Sequence, residues 1–435
     1  MTLAVVVQRY GAEISGGAEL HARYIAEHLA RHAEVEVLTT CARDYVTWRN
    51  EYPAGTERVN GILVRRYPVH HERDVEAFGR RSSLVFDHSH SLADELAWLD
   101  DEGPASPALV RQVRAVQQRY DFFVFFSYRY YHAYHGVRAA TDRAVLVPTA
   151  ERDAAIGLAM FRPVFQRVRA IMYNSFEERD MIHAVAGNQA VPGVVVGVGS
   201  EVPLRADGAR FRQKFNVRGR FAIYVGRIDA NKGCQELFDF FGRYAGESQG
   251  GLSLVLVGAS VLPVPDHPRI RHLGFLSDDD KFDALAAADA LIMPSFFESL
   301  SMVALEAWAL GRPVVANARC DVLRGQCLRS NGGLFYENAR EFAEVLRAIE
   351  TSDSLARALG ENGRAYFERH YTWPVIERRY LAMLEQLRRE PAGEAAARST
   401  AWPLPGWIER RRRTISPAAH VLKQIPAGPS RARDI

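Results

Sequence analysis

Two glutamates eight residues apart, Glu298 and Glu306, sit in FFESLSMVALEAWALGRPVV (Phe296 to Val315), a stretch otherwise made of core-type residues. On a helix of about 100° per residue Glu306 falls between Leu310 and Met302. Val303, Ala304, Leu305, Ala307 and Trp308 cover the rest of the circle, so this carboxylate has no polar face. A buried, unpaired carboxylate costs several kcal/mol, so Glu306 requires a partner, either an Arg or Lys or a ligand. Ser299 and Ser301 flank the expected helix start, where free backbone amides attract negative charge. At about 1.5 Å rise per residue, Glu306 lies roughly 7 to 8 Å beyond Ser301, the separation of a phosphate from a ribose. Ribose hydroxyls would satisfy the carboxylate, and Glu298 would face the same crevice near a group attached to the distal phosphate.

Two further loops carry chemistry. GRIDANKG, Gly226 to Gly233, offers Arg227 and Lys232 at the end of an apolar run, two cations suited to a diphosphate, although basic loop residues are also commonly just solvated. It is no P-loop, because Lys232 precedes Gly233 and no Ser or Thr follows to hold magnesium. Gly16 and Gly17 end the loop after the first apolar run, where missing side chains let backbone amides approach an anion or simply make a tight turn. The absence of GxGxxG argues against a dinucleotide fold. Asp278, Asp279 and Asp280 suit the first turn of a helix better than a metal site.

The elements that must position these loops alternate along the chain. LAVVVQ, a glycine loop, AELHARYIAEHLARH and VEVLTT make a βαβ opening, and the α/β pattern continues through one helical region at about 93–120 and the runs FFVFF, AVLVPT and AIMYNS. VVVGVGSEVP, Val194 to Pro203, reads as a strand leading into an inter-domain hinge. The pattern restarts with FAIYVGRIDANKG, LSLVLVG, IRHLGFL, a helix from Asp278 to Ala288, ALIMPS and RPVVANA. Apolar strands without alternation imply parallel sheets covered on both faces. The expected division is 1–198, 199–371, a last helix 372–390 crossing back to the first domain, and a tail 391–435.

At 435 residues, with 48% hydrophobic and 25% charged content, the chain is an ordinary globular protein of two domains. The net charge of +3 gives no reason to expect nucleic acid as a partner. Basic character is confined to the end: from Arg388 onward, ten Lys and Arg face four Asp and Glu. The tail is rich in Pro, Ala and Arg, is expected to be disordered, and combines Trp402 and Trp407 with Arg410 to Arg413, a pattern suited to peripheral contact with an anionic membrane or to a solvated terminus. The four cysteines form no CxxC pair and suit free thiols in a reducing compartment. No run approaches the length of a membrane span, and the start reads as a strand rather than a signal peptide. The expected location is therefore cytoplasmic, with peripheral contact at the inner face of the membrane.

GGAE near the start, GRIDANKG, E-x7-E from Glu298 to Glu306, FLSDDDKFDALAAADALIMPS and GRPVVA together resemble a retaining glycosyltransferase of GT-B fold, family 4, over about residues 1 to 388. The resemblance implies two Rossmann-like domains facing across a cleft, the first binding a carbohydrate or lipid-linked acceptor and the second a nucleotide-sugar donor, with no metal or other cofactor. It implies that Arg227 and Lys232 hold the diphosphate, that Glu306 holds the ribose without needing a salt bridge, and that Glu298 with the amides of Ser299, Leu300 and Ser301 holds the donor sugar. Gly16 and Gly17 would complete the phosphate site, and Gly274, Phe275 and Leu276 would meet the base through backbone. Many relatives carry a motif like VPTxHDxP, whereas this chain reads VPTAERDAAI and puts Glu151 at the His position. An ionised carboxylate cannot donate a hydrogen bond, so Glu151 would instead polarise the acceptor or stabilise developing positive charge, unless it is a loop residue paired with Arg152. Glu151 and Glu298 are thus the candidate catalytic groups. Tyr128, Arg129 and His132 in SYRYYHAYHG either form an acceptor platform or cover a strand end. The implied activity is transfer of a sugar to an acceptor hydroxyl in bacterial polysaccharide or glycoconjugate synthesis. A nucleotide-sugar epimerase, a phosphorylase and a silent sugar-nucleotide-binding protein are the rivals.

Overall fold

The structure, a computed structural model, describes residues 1–14, 16–203, 205–247 and 251–390. The basic tail, with its expected disorder and membrane contact, lies outside the described residues. Two sheets carry the fold. The first comprises β1 (Thr2–Val6), β2 (Glu34–Thr40), β3 (Gly55–Val59), β4 (Ile62–Tyr67), β5 (Phe122–Phe126), β6 (Ala144–Val147), β7 (Ala170–Tyr173) and β8 (Gly193–Val195), in the order β3-β4-β2-β1-β5-β6-β7-β8. The second comprises β9 (Phe221–Val225), β10 (Ser253–Val257), β11 (Ile270–His272), β12 (Ala290–Met293), β13 (Val314–Asn317) and β14 (Gly333–Tyr336), in the order β11-β10-β9-β12-β13-β14.

Both sheets are parallel apart from the edge pair β3·β4, which is antiparallel. Asn60 and Gly61, both at positive φ, close that hairpin, as an Asn-Gly dipeptide does in a two-residue turn. β5, β6, β7, β9 and β12 are buried at every position, as parallel strands covered on both faces must be. The expected helical region at about 93–120 holds two helices, Leu92–Glu102 and Pro107–Ala115. Gly103-Pro104 separates them, because proline has no amide to continue the ladder.

The chain leaves the first sheet at Val195 and enters the second at Phe221. The last helix, Trp373–Arg389, crosses back. The Trp373 ring stacks on His28 with centroids 3.6 Å apart, His28 Nδ1 lies 2.6 Å from Glu377, and Arg169 donates to the Leu387 carbonyl at 3.0 Å. This return is why VGVGS carries glycines: a Cβ on Gly199 would stand 2.6 Å from the Trp373 indole. All four cysteines are free and buried, and among the described residues no helix is long and apolar enough to cross a membrane.

Gly199→Ala is therefore expected to lower unfolding stability by about 1–3 kcal/mol, the usual cost of forcing extra volume into a packed contact. Gly242→Ala, in the helix Cys234–Glu247 where a Cβ meets nothing within 4 Å, should be neutral or stabilising. Urea unfolding of the two variants checks this; equal responses would show that the linker contact contributes nothing.

Candidate functional site

The carboxyl ends of β9, β10 and β12 open toward the first sheet, where ligands of parallel α/β folds bind. Gly226–Gly233 leaves β9 and turns back against the exit of β12. Gly233, at φ +72°, makes this possible, since a Cβ there would lie 2.2 Å from the Pro294 carbonyl oxygen. Buried Asp229 organises the loop by accepting the Lys232 backbone amide at 2.8 Å and pairing with the Arg227 guanidinium. The Arg227 side chain remains 54% exposed. Lys232 reaches across to Glu298, Nζ to Oε1 2.8 Å. Burial works against the lysine's charge, but Glu298 and Glu151 outweigh it and raise its pKa above the usual value.

The stretch that holds Glu306 is the helix Met302–Ala309, capped by Ser301, whose Oγ accepts the Ala304 amide at 3.2 Å. Leu300 is buried, and Ser299 Oγ accepts from Asn174 of the first half at 3.4 Å. Glu306 is buried as expected, but its partner corrects the expectation that it needs no salt bridge. Lys281 Nζ lies 3.0 Å from Oε1 and 3.3 Å from Asp278. Oε2 is enclosed with no partner. Desolvation raises the Glu306 pKa, with Lys281 opposing it. Lys281 is the residue that sequence reasoning missed. It follows three aspartates in the first turn of Asp278–Ala287, capped by Ser277, and there it reads as a surface pair with Asp278 rather than as the partner of a helix 25 residues on.

From the first half, Glu151 follows β6 and faces Lys232 and Glu298. Burial raises its pKa to about 7; Lys232 opposes this, while Glu298 and Asp153 add to it. Arg152 pairs with Asp321 across the cleft at 3.0 Å and not with Glu151, which removes the loop-pair alternative. The turn is held from behind by buried Glu178, which accepts the backbone amides of Ala150 and Asn174. Desolvation raises Glu178 to about 8 despite those donors.

The acceptor platform is corrected in part. Tyr128 is buried against Phe161 and Phe165, and His132 is fully buried with Nε2 2.8 Å from the Phe126 carbonyl. Both cover the end of β5, because aromatic side chains there are needed to close the first core. Arg129 is held between Glu102 at 2.7 Å and Asp153 at 2.6 Å.

Gly16 caps the helix Gly17–Leu29, and a Cβ there would meet the Glu19 carboxylate at 2.3 Å. Its small size thus admits the buried Glu19–Arg9 pair, whereas Gly17 faces open space. Gly274 accepts the Gly258 amide at 2.8 Å, which holds Phe275, 75% exposed, and Leu276 beside the β9 and β10 exits. Between the halves, a space of about 40 Å³ is lined by Ala150, Glu178, Phe297, Glu298 and Cys320 among others. The pairs Arg152–Asp321 and Arg329–Glu177 bridge it.

Two Rossmann-like parallel-sheet halves facing across such a cleft, with a helix returning from the second to the first, define the GT-B fold. Residues 207–366, the segment holding Arg227, Lys232, Glu298 and Glu306, match the family Glycosyl transferases group 1. The chain is 24% identical to mannosylfructose-phosphate synthase of Agrobacterium fabrum over 209 residues, 44% of this chain and 46% of that protein. It is 28% identical to MMP alpha-(1->4)-mannosyltransferase of Mycolicibacterium hassiacum over 201 residues, 42% and 47% of the two. The chain thus spans about half the length of the curated relatives it matches. Sucrose-phosphate synthase from Thermosynechococcus elongatus superposes with TM-score 0.66 at 18% identity over 89% of this chain and 98% of that one. Anabaena HepE in complex with UDP-glucose does so with TM-score 0.63 at 18% identity over 89% and 100%.

Removing one partner of a buried ion pair typically costs about 3–5 kcal/mol. Lys281→Met is expected to lose stability on that scale at neutral pH. Because burial already raises the Glu306 pKa, the penalty is present above that folded value and shrinks as pH falls toward the ordinary carboxylate range, where the group accepts a proton. Urea unfolding at pH 7.5 and pH 5 reads the difference, and a loss independent of pH would assign the effect to packing.

Proposed function

We propose that this chain is a retaining, metal-independent glycosyltransferase of family 4 that moves a sugar from a nucleoside-diphosphate donor to an acceptor hydroxyl in bacterial polysaccharide or glycoconjugate synthesis. The observation that carries this reading is the constellation Lys232–Glu298–Glu151, assembled from both halves at the carboxyl ends of β9, β12 and β6, with its second-half members in the segment matching a glycosyltransferase family.

In this reading residues 1–198 bind acceptor and 199–371 bind donor, with 372–390 joining them. Arg227 and Lys232 neutralise the diphosphate, helped by the amides from Ser299 to Ser301 and those at Gly16 and Gly17. The unpartnered Oε2 of Glu306 accepts a ribose hydroxyl, which is the satisfaction that the apolar helix cannot provide. Glu298 orients the donor sugar, and the backbone from Gly274 to Leu276 meets the base. The pairs Arg152–Asp321 and Arg329–Glu177 join the two halves beside this site.

Transfer breaks the bond from the anomeric carbon to the diphosphate oxygen and forms one to the acceptor oxygen on the same face. The acceptor proton passes to a donor phosphate oxygen. Glu151, with a pKa of about 7, holds a proton for a large share of the time at neutral pH. As a neutral acid it donates a hydrogen bond, which the ionised form cannot. This supplies at the transferring sugar the donor that an imidazole gives in many relatives of the family.

The test is a thermal-shift screen of nucleotide sugars followed by product analysis. A stabilising donor should release nucleoside diphosphate in the presence of acceptor and give a product of retained configuration. Conversion of the donor's own sugar without transfer would replace this reading with an epimerase, and binding without turnover with a silent binder. The kcat/KM for the donor should fall as pH rises through about 7, where Glu151 of the free enzyme loses its proton. Glu151→Gln, a permanent hydrogen-bond donor, should lose that alkaline limb, whereas Glu151→Ala should cost about 10²–10³ in kcat with donor Kd unchanged.

A further inference from the structure

The amino ends of β9, β12 and β13 surround a cavity of about 400 Å³, at the opposite edge of the second sheet from Lys232 and Glu298. Arg220 and Asp289 stand immediately before β9 and β12, and Arg312 stands two residues before β13. The helix Asp353–His370 closes the cavity with Arg357, Glu361 and Arg364, spaced for one face.

The charges here do not balance. Arg220 takes both nearby aspartates, Asp289 at 2.7 Å and Asp353 at 3.3 Å, and also the Glu350 carbonyl at 2.7 Å. The guanidinium groups of Arg312, Arg357 and Arg364 are left with no hydrogen bond or ion pair among the described residues. Arg312 Nε is wholly enclosed and lacks an acceptor. Arg364 lies flat on the turn before β13, its guanidinium 2.9–3.4 Å from where a Cβ on Gly311 would be. Desolvation and the neighbouring cations Arg364 and Arg212 lower the Arg312 pKa, against only Asp289. Glu361 is the remaining acid of the lining; it is exposed on the rim and free to turn to water.

We propose that this cavity is a separate anion site that seats a phosphate or phosphomonoester group among Arg312, Arg357 and Arg364. A carboxylate brings one charge and two oxygens, too few for three guanidinium forks. A tetrahedral phosphate dianion brings more acceptor oxygens and matches the bidentate geometry of arginine. At about 3.3 Å per strand residue, β9 and β12 hold the cavity roughly 15 Å from the Lys232–Glu298 pair, too far for one bound phosphate to reach both.

Calorimetric titration of the full chain with sodium phosphate and with glycerol 3-phosphate, at constant ionic strength, tests the site. Both ligands should bind, and Arg357→Met combined with Arg364→Met, two exposed positions, should weaken binding at least about tenfold at unchanged Tm. Arg227→Ala, at the cleft, should leave this binding as it is. Glycerol 3-phosphate binding about tenfold tighter than phosphate would identify a phosphomonoester as the ligand, and equal affinity an inorganic ion. The proposal is overturned if neither probe binds by about 10 mM, or if Arg227→Ala weakens binding as much as the double variant does.

Discussion

Burying a carboxylate is the constraint on which this site is built. Two glutamates eight residues apart follow β12, Glu298 partly buried and Glu306 buried, and each is held by a lysine from a different element: Glu298 by Lys232 and Glu306 by Lys281. Without Lys281, the buried Glu306 would cost several kcal/mol. The pairs therefore dictate much of the surrounding architecture. Lys232 can reach Glu298 only if the loop after β9 lies against β12, which the glycine at 233 permits. Lys281 can reach Glu306 only if the helix Asp278–Ala287 presents its first turn to the helix Met302–Ala309. Each lysine contacts one oxygen of its carboxylate, so polar capacity is left over, most plainly at the enclosed Oε2 of Glu306.

The first half answers with a different device. Its loop after β6 has no lysine; it is tied down by Glu178, which spends both oxygens on the backbone amides of Ala150 and Asn174. A buried carboxyl used this way fixes the turn that carries Glu151 without adding a charge to the cleft, since burial raises its pKa to about 8. The returning helix Trp373–Arg389, stacked through Trp373 on His28, ties the second half to the first. The salt links Arg152–Asp321 and Arg329–Glu177 lie on the partly exposed surface, where ion pairs are weak and separable.

Local signals carried far in the sequence. Apolar runs gave the parallel strands, the three aspartates from Asp278 gave a helix start, and the last helix was expected within one residue of its observed ends. What was not legible is what depends on register between distant elements. Whether Glu306 meets Lys281 or a ligand turns on how two helices dock, and no spacing within either one encodes that. Tyr128 and His132 share a segment with Arg129, and only the packing of β5 decides which of them is swallowed by the core. Asn60-Gly61 was a local signal, a hairpin turn inside TERVNGILV, that the run of parallel strands masked.

The protonation of Glu151 follows from the same competition for charge. Lys232 is in contact with Glu298, and its pull on Glu151 is outweighed by desolvation together with two neighbouring acids. A carboxyl so placed keeps its proton near neutral pH and can do a hydrogen-bond donor's work. On the proposed reading, an arriving diphosphate would draw the Lys232 ammonium toward itself and bring more negative charge into the cleft. Both effects disfavour the ionised form of Glu151. Donor binding would thereby put the proton on Glu151 when it is needed, so that a carboxyl with an intrinsic pKa of about 7 behaves in the complex as a neutral acid above that pH.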